Sequence, residues 1–485
     1  MPSENPMPVR TRYAPSPTGF QHVGGIRTAI YAWLFARHHG GQFILRIEDT
    51  DKVREVEGTI GHVMECHKWL GIDRDESLDV GGPYEPYLQS ARLDIYKKYA
   101  QQLLAAGFAY PDPYSEHDLE AFRKQAEAEK RPFLFREHRP DTIQEWNGVS
   151  PLRFKTPIIK RYEWEDAVLG KLSAGEEALD DFILIKGDGY PTYNFAHVVD
   201  DIEMQITHVM RGQEFVASTP KFLSLYDALD HRPPVFATLP PILGESGTKK
   251  LSKRDGAKDI LEYRADGILP EAMLNFLALL GWHPGGDREV LTPSELIAEF
   301  SLERVQRSGA QFDEAKLRHL NREHLKRLSD DAFIKGADLS AHDDARLRRA
   351  LHVIRERAYT LREAHDMLVG NEAELAWLAN APALDTSLLL AKRGEAGAVG
   401  TKTHLTSLIG LIEQLPPDAS AEDIKAALMP YADTITKEDG GRGAALWPLR
   451  YALSGQERSP DPFTLIHILD TDESRARIKT ALELL

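Results

Sequence analysis

Arg12-Tyr13-Ala14-Pro15-Ser16-Pro17-Thr18-Gly19-Phe20-Gln21-His22-Val23-Gly24-Gly25 and, more than two hundred residues later, Lys250-Leu251-Ser252-Lys253-Arg254 decide how this chain reads. The first stretch begins in a short strand, Val9 to Ala14, bounded by prolines. Beyond it Ile26, Ala29, Ile30, Trp33 and Leu34 recur at helical spacing, which predicts a helix from Ile26 to His39 stopped by Gly40-Gly41. Phe43-Ile44-Leu45-Arg46-Ile47-Glu48 is a second strand that ends in carboxylates. Such a strand-helix-strand unit gathers ligands at the carboxyl ends of its strands. Gly19, Gly24 and Gly25 permit close backbone approach at a helix N-terminus, where phosphate is favoured. Alone, His-x-Gly-Gly is an ordinary turn and Lys-x-Ser-Lys-Arg an ordinary solvated loop. Their order and separation together point to a nucleotide site.

The composition suits a large soluble globular protein: 485 residues, 42% hydrophobic and 28% charged. No apolar run approaches the roughly 18 residues of a membrane span, and Met1-Pro2-Ser3-Glu4-Asn5-Pro6 lacks the apolar core of a signal peptide. A cytoplasmic protein is expected. Cys66 is the only cysteine, which excludes an intrachain disulfide and a Cys-based zinc cluster. Its helical context predicts a buried structural thiol. The net charge of −16 argues against a uniformly basic nucleic-acid surface. Local clusters remain compatible with RNA: Lys249, Lys250, Lys253, Arg254 and Lys258; Lys316, Arg318, Arg322, Lys326 and Arg327; and Arg346 through Arg362.

Along the first hundred residues strand and helix patterns alternate, with helices predicted from Glu55 to Leu70 and from Ser90 to Gly107. Residues 110–180 are irregular, with a charged helix from Glu116 to Lys130 and strands near Leu152-Lys155 and Tyr162-Val168, and read as an insertion. Phe182-Ile185 and Ile206-Arg211 restore buried strands, followed by a helix from Thr219 to Leu229. Beyond Leu251 the pattern is almost wholly helical, as in Ala345 to Leu368 and Ala421 to Tyr431. The expected fold is an α/β Rossmann-type catalytic domain with an insertion, followed by an all-α C-terminal half.

The motifs resemble those of class I aminoacyl-tRNA synthetases, and the whole chain resembles the bacterial glutamyl-tRNA synthetases. The stretches that carry this are Ala14-Pro15-Ser16-Pro17-Thr18-Gly19, Arg46-Ile47-Glu48-Asp49-Thr50-Asp51, Gly189-Tyr190-Pro191-Thr192-Tyr193-Asn194-Phe195, Val199-Asp200-Asp201, Thr207-His208-Val209-Met210-Arg211-Gly212 and the lysine loop. The resemblance implies a division into 1–109 and 181–250 for the catalytic domain, 110–180 for an acceptor-end insertion, 251–328 for the signature loop and stem-contact region, and 329–485 for the anticodon-binding region. It implies ATP-dependent ligation of L-glutamate to tRNA through a glutamyl-adenylate. The RNA partner would be tRNA(Glu), with tRNA(Gln) as a second candidate, and the enzyme would act as a monomer.

His22, Lys250 and Lys253 are the residues implied to be catalytic, and Gly24, Gly25, Ser252 and Lys253 to bind ATP. Gly25 stands where many class I enzymes carry a second histidine. Arg12, Ser16, Glu48, Tyr193 and Arg211 match positions around glutamate. Their chemistry fits, because two carboxylates need cations and an ammonium needs an acceptor. The plainer reading of Arg12 is an ion pair with Glu48 that ties two strands. His197 is assigned to the pocket lining, and Arg357 to anticodon reading. Magnesium is expected with ATP, without a nameable ligand. Zinc is not expected, because Tyr110-Pro111-Asp112-Pro113-Tyr114 stands where some relatives carry cysteines. Two rivals share the layout: a glutaminyl-tRNA synthetase and a catalytically silent tRNA-binding paralogue.

Overall fold

The computed structural model of the chain describes residues 8–244, 246–251, 258–369, 373–390 and 397–485. The opening unit consists of β1 (Arg10–Tyr13), α1 (Val23–His38) and β2 (Gln42–Leu45). Then follow α2 (Thr59–Leu70), α3 (Leu93–Ala105), β3 (Ala109–Pro111), α4 (Glu116–Ala128), β4 (Leu152–Phe154), β5 (Tyr162–Asp166) and β6 (Gly170–Ala174). The alternating pattern continues with β7 (Ile183–Ile185), α5 (Tyr193–Glu203), β8 (His208–Gly212), α6 (Thr219–Ala228), β9 (Val235–Leu239) and β10 (Ile242–Leu243). From there helices dominate: α7 (Ile260–Ala265), α8 (Pro270–Leu279), α9 (Pro293–Glu299), and, after β11 (Ala310–Gln311), α10 (Glu314–Leu325). None of the described helices is long and apolar enough to cross a membrane.

The chain forms two compact units, one of Met1–Arg264 with Pro270–Leu320 and one of Ala265–Leu269 with Asn321–Leu485. In the first, a six-stranded sheet runs in the order β2-β1-β8-β9-β5-β6. Its pairings are parallel except β5 with β6. A separate antiparallel sheet has the order β3-β4-β7.

α1 forms where the apolar spacing places it, starting three residues before the expected Ile26. The His22 Nδ1 accepts the N–H of Gly24 at 3.1 Å and so satisfies one of the donors left open at the helix start. Gly40 takes a φ of +61° and leads the chain out of the helix. The sequence marks one apolar side, but the opposite side, including Tyr31, Ala32, Phe35 and Ala36, is buried as well. α8 and α9 cover it, and the Tyr31 hydroxyl donates to the carbonyls of Ala278 and Leu280 at 3.0 and 3.1 Å. A helix enclosed on all sides is apolar all round.

Strand pairing crosses the boundaries expected for the insertion. The hairpin of β5 and β6 lies within 110–180, yet β5 hydrogen-bonds to β9 and extends the six-stranded sheet. β7, expected in the resumed catalytic domain, instead closes the small sheet against β4. Local pattern marks a strand but not its neighbour, which here is found about seventy residues away, Asp166 opposite Phe236. In the Tyr110–Tyr114 stretch, Tyr110 is buried and donates to Asp181 at 2.8 Å, and Tyr114 packs edge-on against Phe122 and Phe135. Arg153 stacks over the Phe135 ring at 3.3 Å and pairs with Asp112 at 2.5 Å.

The second unit is helical: after α11 (Asp330–Gly336) come α12 (Ala345–Arg357), α13 (Leu361–Asp366), α14 (Thr386–Leu389), α15 (Gly397–Ile412), α16 (Ala421–Asp433), α17 (Arg442–Ser454), α18 (Pro462–Leu469) and α19 (Thr471–Glu483). The single helical segment expected from Ala345 to Leu368 is two helices, because Thr360 caps the second by accepting from the N–H of Glu363. α17 packs against α15, α16, α18 and α19, with Leu449, Ala452 and Leu453 buried.

A network of buried charges joins β2, α3 and α5 in the first unit. Arg46 is wholly buried and reaches Glu48 at 2.9 Å, Asp201 at 2.8 Å and Asp200 at 3.5 Å. Asp200 also accepts from Arg92 at 2.7 Å, Gln89 at 2.7 Å and Tyr96 at 2.9 Å. Burial disfavours the Arg46 charge, but Asp201, Asp200 and Glu48 outweigh it and raise its pKa. Removing one partner leaves the others uncompensated. Asp200→Ala is therefore expected to lower unfolding free energy by about 3–5 kcal/mol, read as an earlier urea midpoint. An unchanged midpoint would show that these charges are not mutually held.

Candidate active site

At the carboxyl ends of β1, β8 and β9 the chain encloses a cavity of about 660 Å³. Its lining includes nine of the residues singled out from sequence: Arg12, Ser16, His22, Gly24, Gly25, Glu48, Tyr193, Arg211 and Lys250. Ser252 and Lys253 lie outside the described residues. Arg357 belongs to the helical unit, at the last position of α12, where it pairs with Glu374.

The side of the cavity expected from sequence to face a nucleotide is built by the turn between β1 and α1. His22 caps the helix, and Gly24 and Gly25 form its first turn. A Cβ on Gly25 would stand 2.8 Å from the Tyr13 hydroxyl and 2.9 Å from Gln21 Oε1, two atoms already hydrogen-bonded to each other at 2.5 Å. A side chain at position 25 would have to displace this Tyr13–Gln21 pair. Lys250 follows β10 and pairs with Glu214 at 3.2 Å. Both side chains are more than half exposed, so little free energy holds the lysine there.

The opposite side carries the buried charges. Arg12 donates to Asp201 at 3.1 and 3.4 Å, not to Glu48, so the simple pairing of Arg12 with Glu48 is replaced by two pairs, Arg12 with Asp201 and Glu48 with Arg46. Burial pushes the Glu48 carboxyl upward, against the pull of Arg46 and Arg12. Burial also acts on Asp201, but Arg12 and Arg46 outweigh it and hold the carboxyl well below the usual range.

Arg211 is 5% exposed, and its Nη2 donates to Thr219 Oγ1 at 2.8 Å. Its Nε and Nη1 are buried without a hydrogen-bond partner. The guanidinium carbon lies 4.4, 5.0 and 5.8 Å from the ring centres of Phe236, Phe222 and Phe215. Burial lowers the Arg211 pKa to about 10, which leaves it a cation at neutral pH. A buried cation with two open donors calls for an anion.

α5 explains how these groups converge. Tyr193, His197 and Asp201 recur every four residues and share one face of the helix. Tyr193 lines the cavity, but His197 does not; it sits beneath Tyr193, ring to ring at 4.7 Å, and edge-on to Phe222 at 4.4 Å. Burial lowers its pKa to about 4, so it is a neutral packing residue.

Three contributors were not singled out from sequence. Arg27 lines the cavity one helical turn beyond Val23, donating to the Leu280 carbonyl at 3.0 Å and also to that of Pro240. Glu214 lines it directly after β8, and Gln21 supports the nucleotide side from within the first motif. The Pro240-Pro241 corner at the end of β9 was a usable signal, since crevices lie beyond strand ends. Cys66 is buried, and burial raises its pKa, as an inert structural thiol requires.

The model described as "tRNA synthetases class I (E and Q), catalytic domain" matches residues 8–319, and "Anticodon binding domain" matches 317–482. The chain is 38% identical to a protein named glutamate–tRNA ligase from Clostridium botulinum, covering 98% of both chains, and equally to one from Anaeromyxobacter sp.. A crystal structure of a glutamate tRNA ligase from Elizabethkingia meningosepticum, in complex with its amino acid, superposes with a TM-score of 0.84 at 35% identity, over 98% of this chain and 99% of that one. A glutamate–tRNA synthetase structure from Elizabethkingia anophelis gives 0.81 at 34% identity, with the same coverage. With a parallel sheet whose strand ends open on this cavity, a helical second unit and full-length likeness, the chain belongs to the class I tRNA synthetases of the glutamate and glutamine group.

Proposed function

We propose that the protein ligates L-glutamate to tRNA using ATP. The observation that carries this reading is Arg211, a buried cation in the cavity wall with two unsatisfied donors. A carboxylate side chain answers both the charge and the donors, whereas an amide answers neither fully. That favours glutamate over glutamine as the amino acid.

In the first step an α-carboxylate oxygen of glutamate attacks the α-phosphorus of ATP, and the bond to the bridging oxygen breaks to release pyrophosphate. In the second, a terminal ribose hydroxyl of tRNA attacks the acyl carbon and AMP leaves. Neither step needs a covalent enzyme intermediate; positioning and charge stabilisation suffice. In this reading Glu48 accepts from the glutamate ammonium, Arg12 and Arg211 serve the carboxylates, and Ser16 and Tyr193 shape the pocket. His22, Gly24, Gly25 and Ser252 hold the nucleotide, and Lys250 and Lys253 neutralise the phosphates. Lys250 would exchange Glu214 for phosphate at small cost. Magnesium would arrive on the phosphates, since among the described residues no group of three His, Cys, Asp or Glu forms a cage. We read the protein as a cytoplasmic monomer, since the described residues of a single chain suffice to line the cavity. The partner is tRNA(Glu), and parallel charging of tRNA(Gln) is the test of its breadth.

Pyrophosphate exchange with glutamate or glutamine, with and without tRNA, tests the activity; absence of exchange in every condition would favour a silent RNA-binding paralogue. Arg211→Ala is expected to reduce glutamate activation by roughly two to three decades, the equivalent of about 3–5 kcal/mol for a broken buried pair, while ATP binding changes little. Unchanged kinetics with glutamate would remove Arg211 from the pocket. Lys253→Ala should slow single-turnover adenylate formation by about 10²–10³ at saturating ATP, with an unchanged melting temperature. A normal rate would assign the charge stabilisation elsewhere.

For the anticodon we assign Arg357. Its surface pair with Glu374 is cheap to exchange, and a guanidinium fork suits the two adjacent acceptors of cytosine better than the donors of guanine. Arg357→Gln is expected to narrow the ratio of kcat/KM between tRNA(Glu) and tRNA(Gln). An unchanged ratio returns it to the ordinary surface.

A further inference from the structure

Three segments far apart in sequence meet at Gln21. Its side-chain Oε1 accepts from the Tyr13 hydroxyl, its carbonyl accepts from the N–H of Ile260 at 3.1 Å, and its own N–H donates to His62 Nδ1 at 3.3 Å. The neighbouring His22 pairs its backbone with Asp259 in an antiparallel bridge. Asp259 follows the lysine motif by five residues in sequence, and there the chain is paired with the first motif.

His62, on α2, spans this junction. Its Nδ1 receives the Gln21 N–H, and its Nε2 lies 2.8 Å from the Asp259 carboxylate. Accepting at Nδ1 leaves the ring proton on Nε2, where it donates to Asp259. The same carboxylate accepts from the N–H of Leu261 at 2.8 Å and so sets the start of α7. The ring is fixed on its other sides by Phe20, at a centroid distance of 4.8 Å, and by the Cys66 thiol, 3.6 Å from Nδ1. His62 is 11% exposed in its side chain and is not among the residues lining the cavity.

We propose that His62 is a positioning residue for adenylate formation: it clamps Asp259, on the chain that follows the lysine motif, to Gln21 and the turn that carries His22, and thereby holds that side of the cavity in place for the chemistry. The inference rests on the activity proposed above. His62 touches no reacting atom; it acts through Gln21 and Asp259. Its loss should therefore lower the rate of chemistry more than the binding of glutamate, whose pocket is built on β1, β2, α5 and β8.

Side-chain length separates the two contacts. A glutamine amide reaches about as far as Nε2 and can still donate to Asp259, whereas an asparagine amide reaches only as far as Nδ1 and keeps Gln21 alone. In full-length protein with tRNA present, His62→Asn and His62→Gln, each of which keeps one arm of the clamp and releases the other, are both expected to lower kcat for pyrophosphate exchange by about ten- to a hundredfold, with KM for glutamate within roughly threefold. Asp259→Ala should produce a similar loss that adds little in the His62→Asn background, and it supplies the answer should the histidine variant fail to fold. Wild-type protein without exchange would instead sink the proposed activity. With active wild type, normal kcat in both His62→Asn and Asp259→Ala overturns the clamp. So does a loss in the asparagine and glutamine variants that comes with KM raised and melting temperature lowered, which would make His62 a fold residue only.

Discussion

The ion pairs around Arg46 are the constraint on which the catalytic unit depends. Three arginines, Arg12, Arg46 and Arg92, share three carboxylates, Glu48, Asp200 and Asp201, at distances of 2.7 to 3.5 Å. Each charge is compensated only while β1, β2, α3 and α5 are all in place. Buried pairs of this kind contribute little net stability against an apolar core, but they penalise every arrangement in which one member is missing. The network therefore specifies the sheet's register as much as it stabilises it, and its outer members, Arg12 and Glu48, are also walls of the cavity.

Against this balanced set Arg211 stands apart. Its neighbours are three phenylalanine rings and one threonine hydroxyl, so its charge is tolerated but not answered. The balanced network fixes Arg12 and Glu48 in the cavity wall, whereas Arg211 keeps two buried donors without a partner. The nucleotide side differs in character. It is built from backbone, a capping histidine and glycines, with cationic charge brought by a lysine on a weak surface pair.

Much of this was legible in the sequence, and the parts that were not share a cause. The opening strand-helix-strand unit follows from Ile26, Ala29, Ile30, Trp33 and Leu34 and from Gly40, because those signals are local. Nine of the residues that line the cavity were found through motifs whose spacing reflects a single ligand. What escaped depends on contacts distant in the chain: the covering of α1 by α8 and α9, the choice of Asp201 over Glu48 as the partner of Arg12, and the meeting of Gln21, His62 and Asp259. His197 was expected in the lining from family resemblance, yet one turn along α5 from Tyr193 carries the side chain from the cavity wall into the packing beneath it.

The hairpin of β5 and β6 has a bearing on how such enzymes diversify. A segment inserted into a nucleotide-binding domain is commonly pictured as a cassette, exchangeable between relatives at its two ends. Here the cassette contributes two strands to its host, and the host lends β7 in return. Excising residues 110–180 would strip β9 of its outer neighbour and expose a bare sheet edge, a template for self-association. It would also orphan β7. The two folds are stitched by exchanged strands, so viable grafts must cut around the hairpin, and drift in the inserted segment is bounded by the six-stranded sheet that it completes.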